Sequence, residues 1–184
     1  MKQLDAINLI MPKLGERPVT SLEVRHPTLA VLLPIMDIKR RMILGRGWWF
    51  NQYEYTAYPS VAGKISLGSD TLSFVPYAQY TAAMRGTDLF NTSTLSYVFT
   101  DKVVGTITQD VGFDLLPESA AQHVLYASLE EAFATDLGVG DDLREWQVKA
   151  GQAWSDLLGE HLRQKKYNTR GTRNWRRLVR ALQG

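Results

Sequence analysis

Leu44-Gly45-Arg46-Gly47-Trp48-Trp49-Phe50-Asn51 is the stretch at which this chain changes its period. Upstream of it, Leu29, Leu32, Leu33, Met36 and Ile43 recur at the spacing of one helix face. Downstream, from Trp48 to Thr108, aromatic and β-branched residues alternate with polar ones. Two glycines end the helix, and Trp48, Trp49 and Phe50 supply the apolar bulk to anchor a first strand against it. The stretch therefore divides a helical part from a β part.

Before the divide, Leu4, Ile7, Leu9, Ile10 and Leu14 predict a short amphipathic helix near 2–14, stopped by Gly15 and Pro18. The second helix is expected over 28–44, with Pro27 in its first turn and Pro34 kinking or delaying it. The β region, 48–108, is punctuated by Gly63, Gly68-Ser69-Asp70 and Thr92-Ser93. Its expected strands are Trp49–Tyr58, Lys64–Leu67, Thr71–Val75, Leu95–Phe99 and Val103–Thr108; their pairing order does not follow from the sequence.

Helical period returns at Pro117-Glu118, where Ala121, Val124, Leu125, Leu129, Ala132 and Phe133 predict a helix over 118–137 ending at Gly138. Asp141 or Asp142 is the expected cap of a fourth helix, 142–166, striped by Leu143, Trp146, Ala150, Ala153, Trp154, Leu157 and Leu158. Glu145 stands four residues before Lys149. The short Gly138-Val139-Gly140 loop makes these two helices an antiparallel hairpin. The fold class is thus α+β: an antiparallel bundle of about four helices with an inserted region of short antiparallel strands and an extended C-terminal tail. We expect residues 1–166 to form one domain and 167–184 a separate docking segment.

Charge sharpens that division. Of 21 Lys and Arg, 8 lie between Arg163 and Gly184 with no acid among them, so residues 1–162 hold 13 basic against 19 acidic groups. An acidic body ends in a basic tail. In the tail, Trp175, Leu178, Val179 and Leu182 share a face of a short helix that is marginal until bound.

The absence of cysteine excludes disulfides, thiolate nucleophiles and thiolate metal sites. His26, His123 and His161 lack a second ligand at metal spacing. Around Gly63-Lys64-Ile65 the earlier glycine and the hydroxyl of a phosphate loop are missing, and no G-x-S-x-G elbow occurs. Asp114 with Glu118 is read as helix-start carboxylates. No catalytic, cofactor or metal residue is expected. The N-terminus reads as a first helix rather than a signal segment, and no membrane span is expected.

The ordered set Arg46-Gly47-Trp48-Trp49-Phe50-Asn51, Tyr58-Pro59, Gly68-Ser69-Asp70 and Leu116-Pro117-Glu118 resembles the tail tubular protein A family, the adaptor or gatekeeper of podoviruses, over residues 1–166. The resemblance implies a structural virion protein at the head-to-tail junction: a ring, twelve copies on the portal protein, continued by a tail nozzle of the tail tubular protein B type. Tail fibres would sit around the junction and double-stranded DNA would pass through it. Assembly from monomers would take place in host cytoplasm. Under this reading Arg170, Arg173, Trp175, Arg176, Arg177, Leu178, Arg180 and Leu182 dock on the portal. Two other readings stay open: a head-completion or tail-terminator protein of another phage type, and a small nucleic-acid-binding protein acting through its arginine-rich tail.

Overall fold

A computed structural model describes residues 1–135 and 139–165. Its elements run α1 (Gln3–Ile10), a 3₁₀ turn (Met11–Leu14), α2 (Pro27–Leu44), β1 (Gln52–Ala57), β2 (Thr71–Pro76), β3 (Ala82–Arg85), β4 (Asp88–Asn91), β5 (Val103–Gln109), a second 3₁₀ turn (Phe113–Leu115), α3 (Glu118–Phe133) and α4 (Gly140–Gln164). The class is α+β, as the change of period implies.

Two apolar cores carry the fold. One joins Ile7 and Ile10 of α1, Leu29, Leu32 and Met36 of α2, Val124, Leu125 and Leu129 of α3, and Trp146 and Leu157 of α4. The other joins Ala57, Phe74, Leu89, Val103 and Ile107 of the strands with Ile65, Leu67 and Phe99 from the crossings. Helices α3 and α4 run antiparallel, since Ser119 meets Glu160 while Phe133 meets Trp146. Burial of each large apolar side chain stabilises by roughly 2 kcal/mol, which fixes the faces these helices present.

Gly15 closes the first helical segment in the left-handed conformation, φ 72°, its N–H bonded back to Pro12 O. Pro34 neither delays nor ends α2, which starts at Pro27 and runs through it. Asp141 and Asp142 lie inside the first turn of α4 instead of capping it; the preceding residue is Val139, which offers no side-chain acceptor. There they still oppose the positive end of the helix. Helix α3 ends at Phe133, before the expected glycine stop. Gly138 and residues from Lys166 onward lie outside the described residues.

The strands differ more from expectation. Three pair antiparallel in the order β1-β5-β2, and β3 with β4 forms a separate hairpin. That hairpin, Ala82–Asn91 around Gly86, was missed because its alternation is short and interrupted by Arg85 and Asp88. Conversely, the segments 64–67 and 95–99 each make one isolated bridge, Ser66 to Asp88 and Ser96 to Asn91, and are not ladder strands. Residues Trp49–Asn51 turn before β1 begins at Gln52, because Trp48 O accepts the N–H groups of both Asn51 and Gln52.

Gly105 sits at the centre of β5, opposite Tyr55 and Pro76. A Cβ there would lie 2.4 Å from Val75 O and 2.7 Å from Pro76 Cα. Gly105→Ala should therefore cost about 3 kcal/mol, seen as a lowered denaturation midpoint. Gly112→Ala, with nothing within 4 Å, should leave the midpoint unchanged.

Candidate structural junction and assembly surfaces

The junction is built from the residues at which the period changes. Gly47 takes φ 75°, and a Cβ there would run into the Gln52 side chain, so a glycine makes the turn out of α2 at least cost. The turn drops Trp48 into the bundle core, where it is 3% exposed. Its indole N–H donates to Ile43 O at 2.7 Å, and its ring meets Trp154 and His161 edge-on at 5.4 and 5.2 Å. Arg46 lies over the Trp154 ring at 4.7 Å. Trp49 stacks edge-on against Phe50 and lies 6.0 Å from His161.

Asn51 is the polar centre, 1% exposed. Its side-chain oxygen accepts the Trp48 N–H at 2.8 Å. Its amide nitrogen donates to Leu44 O at 3.0 Å and to Gln109 O at 2.8 Å. Its own backbone carbonyl accepts the Gln109 N–H at 2.8 Å. One buried amide thus adds a second bond to the Leu44 carbonyl, which also accepts the Gly47 N–H, and ties the entry of the β region to its exit.

A second clamp stands beside it. Arg40 of α2 donates to Val111 O at 2.5 Å, to Asp37 at 2.6 Å and to Asp110, whose carboxylate also faces Arg41 at 3.4 Å. Burial works against the charge on Arg40, but hydrogen bonds to Asp37 and Asp110 outweigh it, so its pKa is raised. The chain leaving β5 is therefore pinned to α2. The sequence reading missed this pair, since a contact 70 residues apart has no local signature.

Asp114, Glu118 and Glu145 have structural partners. Asp114 accepts the Gln3 N–H at 2.8 Å, so it serves the first turn of α1, while Glu118 opens α3 and holds Gln122. Glu145 bonds Lys149 and also Lys13 at 2.9 Å, and these lysines pull its carboxyl down to about 2. His123 Nδ1 lies 2.9 Å from Ala150 O, and His26 lies 3.9 Å from Glu16. Among the described residues no group of three or more His, Cys, Asp or Glu is placed to hold a metal, and no helix is long and apolar enough to cross a membrane. The anticipated docking residues Arg170, Arg173, Trp175, Arg176, Arg177, Leu178, Arg180 and Leu182 lie outside the described residues.

Two measurements probe the junction. Asn51→Ala would leave the Trp48 backbone N–H without its acceptor and remove the side-chain bonds to Leu44 O and Gln109 O, and should lower stability by about 3 kcal/mol, read by chemical denaturation. His161 is held below its usual 6.5 by burial first and by Lys165 second. The unfolded chain then takes up a proton before the native one does, so stability is full above that pH and declines as pH falls below it. His161→Gln should flatten the thermal midpoint across pH 5 to 7.

With this geometry in place, similarity to known proteins can be read. Residues 4–168 match the family described as tail tubular protein. The tail tubular protein A of Klebsiella phage KP34 is 30% identical over 182 residues, covering 98% of each chain.

Proposed function

The chain belongs to the tail tubular protein family and is a structural component of a phage tail; from that premise we propose that it is the adaptor ring joining the portal protein to the tail nozzle. The observation that carries the reading is the family match across 4–168, which takes in both cores and the junction between them. The role needs no catalytic chemistry, and the carboxylates raised from the sequence, Asp114, Glu118, Asp141 and Asp142, stand in structural hydrogen bonds or at helix starts. The protein acts as a scaffold and not an enzyme, with no cofactor.

In the proposed assembly twelve copies sit on the portal at the head–tail junction. A nozzle protein of the tail tubular protein B type continues the tube, tail fibres attach around it, and double-stranded DNA passes through. An acidic body suits such a conduit, because a surface that lacks excess positive charge does not retain phosphates. The basic segment 167–184 acts as a docking element distinct from the 1–166 domain. Trp175, Leu178 and Leu182 are its apolar anchors, and Arg170, Arg173, Arg176, Arg177 and Arg180 pair with acidic groups of the portal. Monomers made in host cytoplasm then order themselves on a completed portal.

The test is native mass measurement of the full chain, alone and mixed with portal from the same virus. Monomers alone and rings on the portal are expected, and deleting residues 168–184 should weaken portal binding at least tenfold. Unchanged binding after the deletion overturns the docking role. A monomer indifferent to portal, with steeply salt-dependent DNA affinity, overturns the adaptor reading in favour of nucleic-acid binding.

A further inference from the structure

Helices α2 and α4 each carry a second, outward apolar sector that neither core uses. On α2 it consists of Val31, Ile38 and Met42, exposed by 49, 55 and 65%. They recur at i, i+7 and i+11, with the charged residues Asp37, Lys39, Arg40 and Arg41 off that line. On α4 the sector holds Val148, Leu158 and Leu162, exposed by 71, 39 and 54%, together with Gly151, Ser155 and Gly159. Between Gln147 and Leu162 the charged residues, Lys149, Asp156 and Glu160, all fall on the other side of the helix.

One residue of each sector, Met42 and Gly151, lines a groove between the two helices, and the rest of each sector lies beyond its edges. Met42 and Trp154 face each other across a floor made by His123 and Ala127 of α3, and the groove continues past Gly151 with a volume near 430 Å³. Lys39, Arg46 and Glu130 stand around it. An apolar centre inside a charged surround is the anatomy of a protein contact.

The glycines add a separate argument. Gly151 and Gly159 weaken α4 relative to alanine, yet nothing lies within 4 Å of where a Cβ would stand at either. No packing among the described residues requires them. With Ser155 between, they form a shallow track at helical spacing, the shape that admits another backbone at short range.

We infer that this face is the contact between neighbouring copies of the chain in the ring. Size points to that occupant: the open apolar side chains present on the order of 600 Å², the upper end of what monomers leave uncovered. With the glycine track and polar rim this approaches the roughly 800 Å² per partner of a stable contact. Its apolar centre also suits an identical subunit, since contacts between like copies are the more apolar class. The next copy meets it with a different surface, as a ring requires.

The inference rests on the ring reading, and one experiment separates the two. Gly151→Glu and Met42→Lys place charge on the face without touching either core, and both should keep the wild-type thermal midpoint. Copies per portal are counted by native mass during titration of full-length protein onto portal from the same virus. Wild type should fill portals in an all-or-none manner, whereas the variants should leave partly filled portals and need at least tenfold more protein. Variants that fill portals as wild type does overturn the inference. Variants that fail to place even a first copy also overturn it, because the face would then seat the portal. If wild type itself ignores portal, the adaptor reading falls alone, and sedimentation of concentrated protein decides the face. Association lost in both variants supports the contact; wild type that stays monomeric overturns it.

Discussion

The architecture depends on the side chain of Asn51, a single amide buried where helix gives way to strand. Its two ends bond to the last turn of α2, to Trp48 and to the exit of β5, so three chain segments share one hydrogen-bonding group. A buried amide left without these partners would be costly, which means the bonds act together or not at all. Trp48 fills the apolar side of the same corner and Arg40 holds its charged side. The bundle and the strand region are consequently one body at this point, although each has its own core.

The distribution of charge follows the same economy. Acids that resemble chemical groups in the sequence stand at helix starts, and lysines of the body meet other acids, Glu145 and Asp88, across element boundaries. The outer sectors of α2 and α4 leave apolar side chains open as well. A tail component whose work is to be held in an assembly has its informative surface there and not in a pocket with reactive groups.

The helices were legible because their inner faces repeat over several turns, as Leu29, Leu32 and Met36 or Val124, Leu125 and Leu129 do. The ends were less so, since Asp141 looks like a cap from its type alone and only the backbone shows that it stands within the first turn. The β region was read for its period but not its pairing. The ladder joins β1 to β5 across some fifty intervening positions, and Leu95–Phe99 has strand composition without a partner strand beside it. At the junction, Trp48 and the two glycines announced themselves, whereas the roles of Asn51, Arg40 and Asp110 depend on long-range closure. The outer sectors were hidden for a different reason: a sequence pattern shows that a residue is apolar, not which of two faces the fold will cover.

The placement of α3 also shapes how the chain behaves as it is made. The inner face of α2 is closed by α3, yet the strand region stands between them, from Leu44 to Glu118. At translation speeds of roughly 5–20 residues per second, that face waits about 4–15 s for its cover. During those seconds both apolar stripes of α2 are open at the ribosome, and Pro34, which leaves one backbone carbonyl unbonded within it, weakens the isolated helix. The nascent chain is then at its most adhesive well before its final helix exists.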